Sequence, residues 1–237
     1  MKNWKEKIRQ GETAVCVAMA VMLVVTGWAA VKETAVFVSG GRTEQERCIV
    51  IDAGHGGDDP GKVGINGALE KDINLQIAQK VKTYLELEGI RVVMTRTDAS
   101  GLYDPGAQNK KVQDMKRRIA IIEEAAPVIT VSIHQNSYPE EYVKGAQVFY
   151  YKGSDGSKAA AEIMQKSLKD RLDPENKREA KANGSYYLLK KTSSPIIIVE
   201  CGFLSNSQEA EKLSGDEYQE RVAWAVFMGI MQMLNSQ

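Results

Sequence analysis

Histidine is nearly absent from this chain. There are two in 237 residues, His55 and His134, so any site that needs three imidazoles from one chain is excluded. Cysteine is scarce as well, at three. None belongs to a CxxC pair, which leaves neither a disulfide framework nor a cysteine-built zinc site. Cys16 falls in an apolar run, and Cys48 and Cys201 sit at ends of expected buried strands, where they read as small buried hydrophobes. Net charge is absent: 31 basic residues balance 31 acidic ones, so there is no broad field for nucleic acid. Repeats and low-complexity segments are missing too. What remains is 43% apolar and 26% charged, which excludes a disordered or collagen-like chain and fits one domain with a short appendage.

The amino terminus has a different character. Lys2, Lys5, Lys7 and Arg9 stand against Glu6, and Thr13 to Val31 then runs 19 residues without a charge. That length approaches a membrane span, and the basic flank orients the remainder outward. Gly27-Trp28-Ala29-Ala30 also approaches a small-x-small cleavage pattern, so residues 1–31 read as a signal peptide or a signal anchor, with a buried core helix as the alternative. Residues 32–47 read as a linker. Without 1–31 the chain has 27 basic and 29 acidic residues, a slightly acidic domain.

From residue 48 strands and helices alternate. Residues 48–52 read as a buried strand, 72–89 as a helix stopped by Gly89, and 91–95 as a strand. A loop at 101–108, a helix at 112–125 and a strand at 128–133 follow. Then come a β-rich run at 147–151, a helix at 157–172, a short strand at 185–189, a buried strand at 195–199 and a closing helix at 218–234. The pattern predicts a single layered α/β domain over 48–237, with a mostly parallel sheet flanked by helices on both faces.

Ligand sites in such sheets lie beyond the carboxyl ends of the strands. Strand 48–52 runs toward His55, strand 128–133 into His134 and strand 195–199 into Glu200, so both histidines fall at one edge. Two histidines and one carboxylate, with a fourth position open, are a common catalytic zinc set. Glu70, after the glycines 61, 64 and 67, is either that third ligand or a carboxylate at a helix N-terminus. Glu200 follows four aliphatic residues. It reads as a general base with a raised pKa or as one half of a salt bridge. Asp52 and Asn136 are candidates to orient the histidines, or serve strand-end hydrogen bonding. Arg96 is expected to pair with Asp98 or cap a strand end.

Four segments carry a likeness: IDAGHGGDDPGKVG with Glu70, TRTD at 95–98, VSIHQNS at 131–137 and IIIVECGFLSN at 196–206. In this order they resemble the zinc-dependent N-acetylmuramoyl-L-alanine amidases, bacterial cell-wall hydrolases, over about residues 48–236. The resemblance implies zinc ligands at His55, Glu70 and His134 and a catalytic glutamate at Glu200. It implies cleavage of the amide between the lactyl group of muramic acid and L-alanine of the peptidoglycan stem peptide. The leader, the single domain and the segment LDPENKREAKANGSYYLLKKT most resemble the sporulation and germination amidases of endospore formers. There, peptide removal prepares muramic acid for conversion to a lactam. The expected setting is extracytoplasmic, anchored or secreted, for example between the forespore membranes. Peptidoglycan, the membrane and a localising or regulatory protein are the expected partners, and nucleic acid is not. Arg178 and Lys181 are candidates to meet the stem peptide's carboxylates, or form a solvated charge run. Loop 173–185 is a candidate cover for the site. Two rival readings are a zinc carboxypeptidase-like peptidase and an inactive wall-binding scaffold.

Overall fold

The computed structural model describes Met22 and residues 47–236. The expected leader at 1–31 apart from Met22, and the linker apart from Arg47, lie outside the described residues. The chain divides into two units at Thr43/Glu44, and the fold described is that of the second.

Six strands form one sheet: β1 (Cys48–Ala53), β2 (Arg91–Met94), β3 (Ile129–Asn136), β4 (Gln147–Tyr151), β5 (Lys181–Asn183) and β6 (Ile196–Phe203). Their spatial order is β2-β1-β3-β6-β4-β5. All neighbours are parallel except β4 and β6, which run antiparallel. The helices are α1 (Glu70–Leu87), α2 (Lys110–Ala125), α3 (Asp155–Leu172), α4 (Tyr187–Lys191), α5 (Ser207–Ser214) and α6 (Asp216–Asn235).

Strand alternation sends side chains to two cores. Ile49 and Ile51 of β1 and Ile197 and Val199 of β6 join the larger one, with Ile77 of α1, Met164 of α3 and Val226 of α6. Val50, Ile196 and Ile198 face the other, with Ile122 of α2 and Leu188 of α4. This two-sided burial explains why the central strands read as continuous apolar runs. Ile77 is fully buried, so Ile77→Ala is expected to cost about 3 kcal/mol through lost transfer energy and a cavity. A lower urea midpoint at unchanged slope would show it.

Two strands run further than expected. β3 continues through His134 to Asn136, and β6 through Glu200 to Phe203. Their pairing persists past the apolar stretch, with His134 opposite Glu200 and an irregularity before Asn136. The strand expected at 185–189 is instead the helix α4, and the edge strand lies earlier, at 181–183. Asn183 turns the chain between them: its Oδ1 accepts hydrogen bonds from the backbone N–H groups of Ser185 and Tyr186. Cys48 and Cys201 are free and buried, as expected of small hydrophobes.

Candidate metal centre

β1, β3 and β6 end side by side, and α1 begins beside them. Past β1 the backbone N–H of Gly54 donates to the carbonyl of Ile133 at 3.1 Å. A side chain at Gly54 would collide with the imidazole of His134, so glycine is what lets the β1 turn approach that ring. His55 follows in a left-handed conformation, φ 62°. Gly61, φ +68°, closes the loop against the site: a Cβ there would stand 2.5 Å from Glu70 Oε2 and 2.7 Å from His55 Cδ2.

Three side chains converge. Glu70 Oε1 lies 3.2 Å from His55 Nε2 and 2.9 Å from His134 Nδ1. One donor atom from each of the three falls within 4.8 Å of the others, an arrangement that can hold a metal ion. Glu70 is buried and the two histidines are part-exposed. Burial alone would raise the Glu70 carboxyl, but hydrogen bonds from both histidines outweigh it and hold Glu70 below the usual carboxylate range. Its Oε2 accepts the backbone N–H of Lys62 at 2.7 Å, and its Oε1 that of Gln135 at 3.1 Å. The carboxylate is thereby fixed from two sides.

Glu200 stands next to His134 across the β3–β6 pairing and is 7% exposed. Its Oε2 is buried without a hydrogen-bond partner among the described residues. Burial pushes the carboxyl up to about 7 against the pull of the His134 charge. All four residues line one cleft of about 670 Å³. Its other walls include Tyr186, Tyr187 and Leu188 of the α4 region, with Lys62 and Lys111. The segment beside the site is thus 186–188 rather than loop 173–185.

Of the remaining sequence candidates, Asp52 and Asn136 line the cleft, and Arg178 and Lys181 do not. Asp52 is buried but bonds neither histidine: it accepts from Arg118 Nη1 (2.6 Å), Thr95 Oγ1 (2.7 Å) and Ser132 Oγ (2.5 Å). Burial would raise its pKa, yet these donors, Arg118 foremost, bring it down to about 2. Asn136 lines the cleft but accepts from its neighbour, the Ser137 N–H. The carboxylate that meets the other nitrogen of His55 is Asp59, whose Oδ2 lies 2.9 Å from Nδ1. Its signal was the spacing of four in HGGDD. Arg178 does not line this cleft: it donates to the Lys144 carbonyl and to Gln147, and it covers the Phe203 ring at 4.6 Å. Lys181 is exposed at the start of β5, also away from the cleft. Arg96 caps the end of β1 and donates to the Asp98 main-chain carbonyl.

Known proteins resemble this chain in sequence and in fold. Residues 49–232 match the family described as N-acetylmuramoyl-L-alanine amidase. The germination-specific N-acetylmuramoyl-L-alanine amidase of Bacillus subtilis is 35% identical over 189 residues, 78% of this chain and 79% of that protein. The CwlD amidase of Clostridioides difficile, solved in complex with the GerS lipoprotein, is 39% identical at a TM-score of 0.78, covering 81% of this chain and all of that one. The amidase AmiC2 of Nostoc punctiforme is 33% identical at a TM-score of 0.70, covering 82% of this chain and 99% of its own. This chain belongs to the N-acetylmuramoyl-L-alanine amidase family and is an amidase acting on peptidoglycan.

Proposed function

We propose that His55, Glu70 and His134 hold one zinc ion and that Glu200 is the proton carrier of the amidase reaction. The observation that carries this reading is a buried, unpartnered carboxylate oxygen beside two imidazoles and a third-ligand carboxylate. Two histidines and a carboxylate suit zinc, and they leave a coordination position free for chemistry. Zinc in such a set supplies Lewis acidity and makes water more acidic. Glu200 accepts the proton of the water that attacks the lactyl carbonyl, then returns it to the departing alanine nitrogen. Asp59 fixes the His55 ring through Nδ1 and so presents Nε2 to the site. Tyr186 and Leu188 wall the same cleft as Glu200.

A carboxypeptidase would need a free cation for a terminal carboxylate. Arg118 lines the cleft, but its nitrogens are already bonded to Asp52, Asp114 and two main-chain carbonyls, which leaves lysines, Lys62 and Lys111 among them, as the cations on its walls. Digestion of peptidoglycan separates the two activities. A new free L-alanine amine on the stem supports the amidase, whereas released terminal D-alanine supports the peptidase. Zinc content near zero, even after zinc is added back, would favour a non-catalytic scaffold.

The biological setting is proposed on the germination-specific and CwlD relatives. The enzyme strips stem peptides in the spore cortex, ahead of lactam formation, from an extracytoplasmic position reached through residues 1–31. A localising or regulatory protein partner is part of this reading, supported by the lipoprotein bound to the CwlD relative. Muropeptide analysis of cortex from a strain lacking the enzyme tests it. Loss of muramic lactam is expected, and a normal lactam content would overturn the assignment.

A further inference from the structure

Two buried arginines end on three successive carbonyls of the turn that carries His55. Arg118 of α2 is 2% exposed and Arg96, in the loop after β2, is 4% exposed. Arg118 Nη1 donates to the Ala53 carbonyl at 2.7 Å and Nη2 to the His55 carbonyl at 2.6 Å. Arg96 Nε donates to the Ala53 carbonyl at 2.9 Å, and Nη2 to those of Gly54 at 3.0 Å and Lys71 at 2.7 Å. Asp52 and Asp114 flank Arg118, each 2.6 Å from a guanidinium nitrogen.

Buried ion pairs are often no more stabilising than apolar residues of the same volume, so stability alone does not account for two guanidiniums here. The turn they hold explains them better. His55 adopts φ 62°, a region that costs a residue with a side chain on the order of 1–3 kcal/mol. Such a conformation persists only where its surroundings fix it. Only a planar fork reaches Ala53 and His55 carbonyls at once while also meeting two carboxylates.

We infer that Arg118, assisted by Arg96, is a positioning residue: it clamps residues 53–55 in the left-handed turn that presents His55 to the metal. The inference rests on the reading of His55 as a ligand. The clamp makes metal capture, rather than the chemical step, depend on a residue of α2. Asp52 and Asp114 act through it by orienting the guanidinium.

The test is zinc affinity of the full-length protein in detergent, measured by competition with a chromophoric chelator. Arg118→Lys keeps the charge beside both carboxylates but cannot reach two carbonyls. It is expected to bind zinc about 10- to 100-fold more weakly, the range for partners that support metal ligands. At saturating zinc its kcat returns to within about threefold of wild type, because the transition-state contacts are intact. Arg96→Lys is expected to lose about 10-fold in affinity, the lower end of the same range. Arg117→Lys, on the same helix but paired with Asp104 at the surface, leaves affinity unchanged. A folded Arg118→Lys protein with zinc affinity within about twofold of wild type would overturn the clamp, since that lies below the range for supporting partners. If that variant does not fold, unchanged affinity in folded Arg96→Lys overturns it instead. Wild-type protein that binds no zinc would sink the ligand reading itself, a result visible before any variant is made.

Discussion

Glu200→Gln is expected to lower kcat by about 10²- to 10⁴-fold, the usual contribution of a positioned acid–base group, with one zinc still bound per chain. The substitution keeps the side chain's size on β6 and removes only its capacity to take a proton. Nothing else in the described site replaces it, since the Glu70 carboxylate is committed to His55, His134 and two backbone N–H groups. The pH profile gives a second readout. Burial raises the Glu200 carboxyl to about 7, and a base works only when deprotonated. Activity therefore falls as pH drops through that pKa, and a cation beside it shifts the limb to pH 7 or below. The limb should vanish in the variant. Zinc loss together with retained turnover would sink the assignment of Glu200 as base.

The same carboxyl makes a stability prediction of opposite sign. A folded-state pKa raised above the unfolded value favours the protonated form, so stability is fullest below the unfolded pKa. It then declines as pH rises through 4.5 toward about 7, where the folded group ionises in its buried place. In chelated protein at pH 8, Glu200→Gln should melt higher than wild type, and the gap should close as pH falls toward 4.5. Activity and stability would then trade at one residue.

The parts of this site legible in the sequence were those written locally. His55, His134 and Glu200 each follow an aliphatic strand, and the rule that sheet ligands gather at strand ends brought them to one edge. The supporting bonds were not legible, because they join residues far apart in the chain. Arg118 reaches His55 across 63 positions and Asp52 across 66. No periodicity marks such a pairing, so Asp52 read as an orienting partner for histidine when its charge serves Arg118. Arg178 and Lys181 looked available because a charge run in a loop reads the same whether solvated or bonded. The error at 185–189 has a similar origin: in five residues an apolar pair fits a strand or one helical turn equally well, and here the Asn183 turn decides. Residues 1–31 apart from Met22 lie outside those described. Among the described residues no helix is long and apolar enough to cross a membrane.

Glu70→Ala is expected to abolish stoichiometric zinc binding, raising the dissociation constant about 100-fold or more, beyond the loss from removing a ligand's supporting partner. Spacing alone leaves Glu70 between two roles, ligand and helix-terminal carboxylate; the family resemblance favours the ligand, and the geometry supports that reading. Leu69 is the N-cap of α1 and makes no side-chain cap bond. Glu70 begins the helix, but its Oε2 accepts from Lys62, eight residues before it, and its Oε1 turns to the two histidines. Its favourable place at the helix dipole is worth only about 0.3–1 kcal/mol, and Asp72 in the same turn retains part of that. A terminal role alone therefore predicts a slightly less stable enzyme with normal zinc and normal turnover. The ligand role predicts a chain whose two imidazoles cannot hold the ion, and whose turnover is lost even though Glu200 is intact. Zinc content after dialysis, with turnover on defined muropeptides, distinguishes the outcomes. Glu70→Gln sharpens the contrast: it keeps one oxygen for the Lys62 N–H, removes the charge and leaves the Gln135 N–H without its acceptor. It should fold, less stable by about 1–3 kcal/mol for that unpaired donor, and still lose the metal. One zinc per chain with undiminished turnover in Glu70→Ala would return Glu70 to the helix and leave the metal to His55, His134 and some third donor.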